Sequence, residues 1–497
     1  MATPRLLLAV FALTTLCLMS RSVFAVGEVE ITTIDQATGE QIPCRIHLMG
    51  EQGKARKIPR LPFWHDHAAF DGKLDLKLPR GHYTFVLEHG PELLSREGYF
   101  TLDNFARDAK QVDFRRFVNM AEHRWYSGDL FVRRPPGDMK LLMRADDLHV
   151  AEVVTWTEKK NEWANRKLPE DPVTTFDKDW AYQSLAGADL SRGVVFLNLS
   201  EPLELPAKLS GMQLLEKMKE ARKQGGWVHV DRADAWDFPA WVAAGAVDSV
   251  AVADSRLERK GTGKLPANSR ARDTAVYPDP HGHGRWVQDI YFHLLECGLK
   301  ITPAAGSGSG VSPNPVGYNR VYALLEDDFS YDAWFEALRA GRVMVTNGPL
   351  LRPAIFRNPP GHVFEAPAGR PLELELALHL GAKEKIAYLE IIQNGRVAKE
   401  IRVEEFAKSG QLPPIRFENS GWCLARVVTD SADTYRFGLS GPFFVEMGGE
   451  KRISRRSAEF FVSWAEERLA QAPAADKKMH EDAVAYWKAL AERSNDE

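Results

Sequence analysis

Between about residues 120 and 350 the chain alternates short apolar runs with helical patterns, and this alternation restricts the fold more than any other feature. The runs are "EVVTW" (152–156), "GVVFLNL" (193–199), "WVHV" (227–230), "DSVAVA" (248–253) and "NRVYALL" (319–325). Between them, Met212, Leu215 and Met218 share one helical face. Val287, Ile290, Tyr291, Leu294 and Leu295 share another, and Trp334 and Leu338 a third. Brief β-branched runs covered by helices predict parallel strands. Over about 230 residues, a (β/α) barrel spanning 119–350 is the natural closure.

The flanks follow a different period. Residues 26–118 alternate at period two, as in Leu74, Leu76, Leu78 and Tyr83, Phe85, Leu87, with Gly and Pro at the turns. This predicts a small β-sandwich, and "DGKLDLKLPRGHYTFVLE" (71–88) resembles the carboxypeptidase-regulatory type of accessory domain. Residues 351–450 predict a second sandwich. Leu372, Leu374, Leu376, Leu378 and Leu380 alternate there, and Asn394-Gly395 marks a type I′ hairpin. A helical tail covers 451–497, with Phe460 and Trp464 on one face and Met479, Ala483, Tyr486 and Leu490 on another.

Residues 1–25 read as a secretory signal: Arg5, then the apolar stretch "LLLAVFALTTLCLM", then Val23-Phe24-Ala25 as a cleavage site. That predicts an exported protein, periplasmic or extracellular, with no stable membrane span once the signal is removed. Cys44, Cys297 and Cys423 are too few and too widely spaced for a disulfide framework or a zinc motif, so buried free thiols are expected. A net charge of −4 supplies no basic excess for a nucleic-acid partner.

In parallel α/β folds the chemistry gathers at the C-terminal ends of the strands. Those ends offer Asp129, Phe131 and Arg133; Trp156, Thr157 and Glu158; His229, Asp231 and Asp234; Asp254 and Arg256; and Ser307 and Ser309. Over about 121–350 the sequence resembles the CehA/McbA-type metallohydrolases of the PHP superfamily. The resemblance rests on "WYSGDLFVRRPPGDMKLLMRADDLHVAEVVTW", "WVHVDRADAWDFPAWVAAGAVDSVAVAD", "YFHLLECGLKITPAAGSGSGVSPNPVGYNRVYALL" and "LRAGRVMVTNGPL". It implies a distorted (β/α)7 barrel whose metal centre activates water against ester, carbamate or phosphoester bonds.

The metal ligands that the resemblance implies do not carry over. The His-x-His after Gly128-Asp129-Leu130 falls on Phe131 and Arg133, and a further histidine falls on Arg256. The Gly-Ser-Asp-Ser-His turn falls on "GSGSG", with Gly308 and Gly310 at the aspartate and histidine positions. His229 is the one imidazole left as a residual candidate, against the three protein donors that a hydrolytic centre needs. This ligand count predicts a purified protein without stoichiometric zinc, manganese or iron. The six positions Phe131, Arg133, His229, Arg256, Gly308 and Gly310 are expected to cluster at one end of the barrel.

Each candidate also has a structural alternative. Arg133 and Arg256 can pair with Asp129 and Asp254 and plug the vacated hole. His229 can be a hydrogen-bonded core histidine. The "HGHG" at 281–284 reads as a loop leading into a helix, with metal binding the minority option. Trp156, Trp236 and Trp241 can stack on a glycan or simply pack.

Two functions remain. One is a non-catalytic relative with a degenerate metal site, binding a small anionic molecule or glycan through Asp129, Phe131, Arg133, Trp156, His229, Asp231, Asp254, Arg256, Ser307 and Ser309. The other is an active metal-assisted hydrolase working through His229, Asp231, Asp234, Glu158 or the His281 and His283 pair, for which alone a divalent metal is expected.

Overall fold

Eight strands build the N-terminal part of the computed structural model, which describes residues 26–496. They are β1 (Val26–Asp35), β2 (Cys44–Met49), β3 (Phe63–Trp64), β4 (His67–Phe70), β5 (Lys73–Pro79), β6 (Gly81–Glu88), β7 (Arg96–Leu102) and β8 (Arg107–Phe114). One sheet has the order β5-β1-β8 and the other β3-β4-β2-β6-β7. The alternating residues of the sequence face each other between them, with Ile31, Leu76, Phe85 and Leu87 in a common apolar core. The expected signal, residues 1–25, lies outside the described residues.

The central part contains β9 (Trp125–Val132), β10 (Val150–Thr157), β11 (Val173–Phe176), β12 (Trp180–Asp189), β13 (Val194–Leu197), β14 (Trp227–Val230), β15 (Ser249–Ala253), β16 (Thr302–Ala305), β17 (Arg320–Leu324) and β18 (Val343–Thr346). Between them run the helices α1 (Met139–Ala145), α2 (Gly211–Lys223), α3 (Phe238–Ala243), α4 (Gly282–Glu296) and α5 (Tyr331–Arg339). Ser210 starts α2 with a capping box, its hydroxyl and the Gln213 amide each satisfying the other's backbone N–H.

These strands form one large mixed sheet in the order β16-β15-β14-β13-β12-β10-β9-β17-β18, which continues into the C-terminal strands. The expected run of parallel strands is corrected at three places. β11 lies antiparallel to β12, β13 to both β12 and β14, and β17 to both β9 and β18. The cause is local: no helix lies between β10 and β13. Residues 173–197 fold back twice as hairpins, and a turn as short as Leu190–Gly193 can only reverse the chain. β9, β10, β12, β14, β15 and β16 keep one direction, so β9, β12, β14 and β15 end on the same side. The loop after the edge strand β16 reaches back to the interior strand β9: Val132 and Ser309 form a parallel bridge, and the Gly308 N–H donates to the Phe131 carbonyl at 2.8 Å.

Beyond residue 350 the chain is again mostly β, but the boundary is no break in the sheet. β18 pairs directly with Phe437–Ser440. The leucine run is not one strand: Leu372–Leu374 pairs with Ile415–Phe417, whereas Leu376–Gly381 pairs with Leu350–Ile355. Asn394 and Gly395 have φ of 49° and 72° between paired strands, as a type I′ turn requires. Two further helices, Arg455–Gln471 and Lys477–Glu492, pack on each other and on α3. Trp487 anchors them, stacked on Phe461 and donating to the Pro239 carbonyl at 3.0 Å. Cys44, Cys297 and Cys423 are free and buried. Among the described residues, no helix is long and apolar enough to cross a membrane.

Candidate functional site

The ends of β9, β12, β14 and β15 surround a cavity of about 470 Å³, a size that suits a small ligand. Phe131, Asp231, Arg232, Ser255 and Arg256 form its walls, and Lys264 stands at its exposed edge. At its base Asp231 accepts hydrogen bonds from the Ser255 N–H at 3.1 Å and hydroxyl at 2.6 Å. Burial, reinforced by the nearby charge of Asp254, pushes the Asp231 carboxyl up to about 7.

Arg256 reaches Asp234 through Nη1 at 2.6 Å. Only its backbone N–H goes to Asp254, at 3.1 Å. The Asp254 carboxylate faces His283 instead, with Nε2 at 2.8 and 3.0 Å from its two oxygens. Arg232 donates to the Ser191 carbonyl, and its stem lies where a Cβ on Gly193 would stand. The Nε atoms of both Arg232 and Arg256 are buried without a hydrogen-bond partner, as is Oδ1 of Asp234.

The pairing of Arg133 with Asp129 and of Arg256 with Asp254 is therefore replaced by another arrangement. Asp129 ties backbone together: it accepts the N–H groups of Phe131 at 3.1 Å, Ser307 at 2.9 Å and Gly317 at 2.8 Å. Burial pushes it up to about 6, against the pull of those hydrogen bonds from Ser307 and its neighbours. Arg133 is half-buried and forms no ion pair among the described residues; its backbone N–H meets the Ser309 carbonyl at 2.7 Å. Ser307 and Ser309 are buried in the loop that Asp129 organises. The loop's glycines allow the approach. A Cβ on Gly308 would stand 2.5 Å from that of Ser255, and one on Gly310, at φ 94°, would stand 1.9 Å from the Arg133 carbonyl oxygen.

Other sequence candidates lie apart from the cavity wall. His229 is fully buried, its Nδ1 2.9 Å from the Ser249 hydroxyl, and burial lowers it to about 3. Its Nε2 has no partner. Glu158 accepts the Leu190 N–H at 3.1 Å. Trp156 is half-buried against the core, Trp241 is wholly inside it, and no tryptophan lines the cavity. His281 opens α4, and His283 is spent on Asp254.

These donors do not fit a divalent ion. Phe131 offers none, Arg256 is a cation, Asp231 is engaged by Ser255, and His229 directs its Nδ1 to the Ser249 hydroxyl. Among the described residues, one group brings histidine and acidic ligand atoms within 4.8 Å of one another: His47, Asp66 and His67, in the N-terminal sandwich. The sequence carries a signal for it, the His-x-His of "WHDH" (64–67), but His47 joins only through strand pairing.

No family model and no curated protein matches the chain. Among solved structures the similarity is faint. The Bacillus anthracis TIE protein is 22% identical over 23% of this chain and 20% of its own, with a TM-score of 0.16. An apo structure of Bacteroides uniformis beta-glucuronidase 3 is 10% identical over 84% of this chain and 61% of its own, with a TM-score of 0.17. The chain thus spans about a fifth and about three fifths of their lengths.

Proposed function

We propose that this is an exported relative of the CehA/McbA-type metallohydrolases in which a distorted (β/α)7 barrel has exchanged metal ligation for the binding of a small anion. One observation carries the proposal. Two guanidinium groups, Arg232 and Arg256, line the same ligand-sized cavity as Asp231. Guanidinium forks match carboxylate, sulfate or phosphate oxygens. Asp231, raised to about 7, is partly neutral near physiological pH and so tolerates an anion beside it. The absence of tryptophan from the wall favours an anion over a stacked glycan.

Calorimetric titration with sulfate and with succinate tests this. Lys264→Ala, at the exposed edge, should weaken binding about threefold or more, and Arg256→Gln should abolish it. Failure of both anions to bind would refute the proposal. A metal-dependent esterase or phosphoesterase activity that is lost in Asp231→Asn would instead establish the hydrolase.

A further inference from the structure

We propose that the N-terminal sandwich holds a divalent transition-metal site formed by His47, Asp66 and His67, and that Arg259 competes with the ion for it. The site is independent of the anion cavity. It also revises the expectation of a metal-free protein, which considered the barrel positions alone.

The register of β2 against β4 runs Cys44–Phe70, Arg45–Ala69, Ile46–Ala68, and so carries His47 opposite His67. The tight turn before β4, with His65 at φ 47°, folds Asp66 between them. Asp66 Oδ1 lies 3.3 Å from His47 Nδ1 and 3.0 Å from His67 Nδ1. Donor atoms about 2.0–2.1 Å from a tetrahedral zinc ion stand about 3.3 Å apart, so these separations are close to those of a ligand set. Both imidazoles are buried, whereas Asp66 remains partly open and leaves a way in. His65 Nδ1, on the exposed side, lies 3.7 Å from the same oxygen and is the nearest further imidazole.

On its other side His47 Nε2 lies 3.2 Å from Glu88 Oε2, a carboxylate close behind the ring that it does not hydrogen-bond. Two imidazoles and a carboxylate suit zinc, cobalt or nickel, whereas calcium and magnesium prefer oxygen ligands.

Arg259 arrives from the central part of the chain. Its Nη1 is 3.1 Å from His47 Nδ1 and 3.9 Å from Asp66 Oδ2, and its Nη2 is 3.3 Å from Glu88 Oε2. A guanidinium only donates, so it uses the His47 lone pair that a metal would take. The two cations exclude each other.

The experiment is titration of ZnCl2 into the full chain, purified without a histidine tag and dialysed against chelator. One zinc per chain is expected. Arg259→Gln should bind zinc at least tenfold more tightly, because the competitor is gone. Zinc bound by Arg259→Gln but not by the natural protein also supports the site, with the arginine winning. His67→Gln and Asp66→Asn should each weaken binding at least tenfold, with folding confirmed by circular dichroism. The d–d absorption of a cobalt-loaded protein should change with the same two variants, and His229→Ala should leave binding intact. No zinc bound by either the natural protein or Arg259→Gln, or binding that survives both His67→Gln and Asp66→Asn, would overturn the proposal.

Discussion

Asp231 and Glu152 show how single buried carboxyls tie behaviour to pH. Asp231 is raised to about 7 by burial and by Asp254. An anion in the cavity favours its neutral form, so sulfate affinity should be highest below pH 7. Above that it should fall by up to about tenfold per pH unit as the carboxylate forms. Asp231→Asn should flatten the profile between pH 6 and 8.5, which titrations at four or five pH values will show. Glu152 is raised by burial from 4.5 to about 8 and accepts a hydrogen bond from the Tyr331 hydroxyl. The native state therefore keeps a proton that the unfolded chain releases above pH 4.5, and stability is lost as the pH rises from there to about 8. Glu152→Gln should remove that decline. Its melting temperature should exceed that of the natural protein at pH 8 by more than at pH 5.

Among the elements, the 306–310 loop depends most on a single residue type. Gly310 has φ 94°, and a Cβ there would meet the Arg133 carbonyl at 1.9 Å. Gly310→Ala must push β9 away from the loop. We expect a loss of about 2–4 kcal/mol in denaturant unfolding and a loss of anion binding with it.

The elements also show where the sequence was legible. "WVHV" coincides with β14, because a short buried β-branched run has no other way to satisfy its backbone. The same local logic located the strand ends bearing Asp129, Asp231 and Asp254. It could not say which arginine meets which aspartate. Asp234 lies in a loop, and its partnership with Arg256 is decided by how two loops fold over each other. It likewise missed the β11–β12 hairpin, whose residues lack a clear period. The meeting of His47 with "HDH" escaped it too, since two strands must first pair.

At the scale of the molecule, the C-terminal helices are part of the central structure rather than an appendage. Trp487 is fully buried against Phe461 and Pro239, Arg468 binds Asp237 at 2.6 Å, and Asp476 accepts the Met212 N–H at 3.0 Å. Trp487→Ala should cost about 3–5 kcal/mol. The loss should lower the unfolding transition of the central sheet, followed by tryptophan fluorescence, rather than melt the helices alone.

The pairing of β9 with β17 brings Gly128 beside Val321, and β18 then waits for Phe437–Ser440. On a ribosome adding about 5–20 residues per second, the first of these partners is made on the order of 10–40 s before the second. Throughout that interval β9 offers an apolar, unpaired edge, the kind of segment that aggregates or recruits a chaperone. A nascent chain stalled at about residue 310, before β17 is made, should remain open to protease in its central region, whereas one released at full length should resist it. Birth order, no less than packing, sets how long this protein is vulnerable.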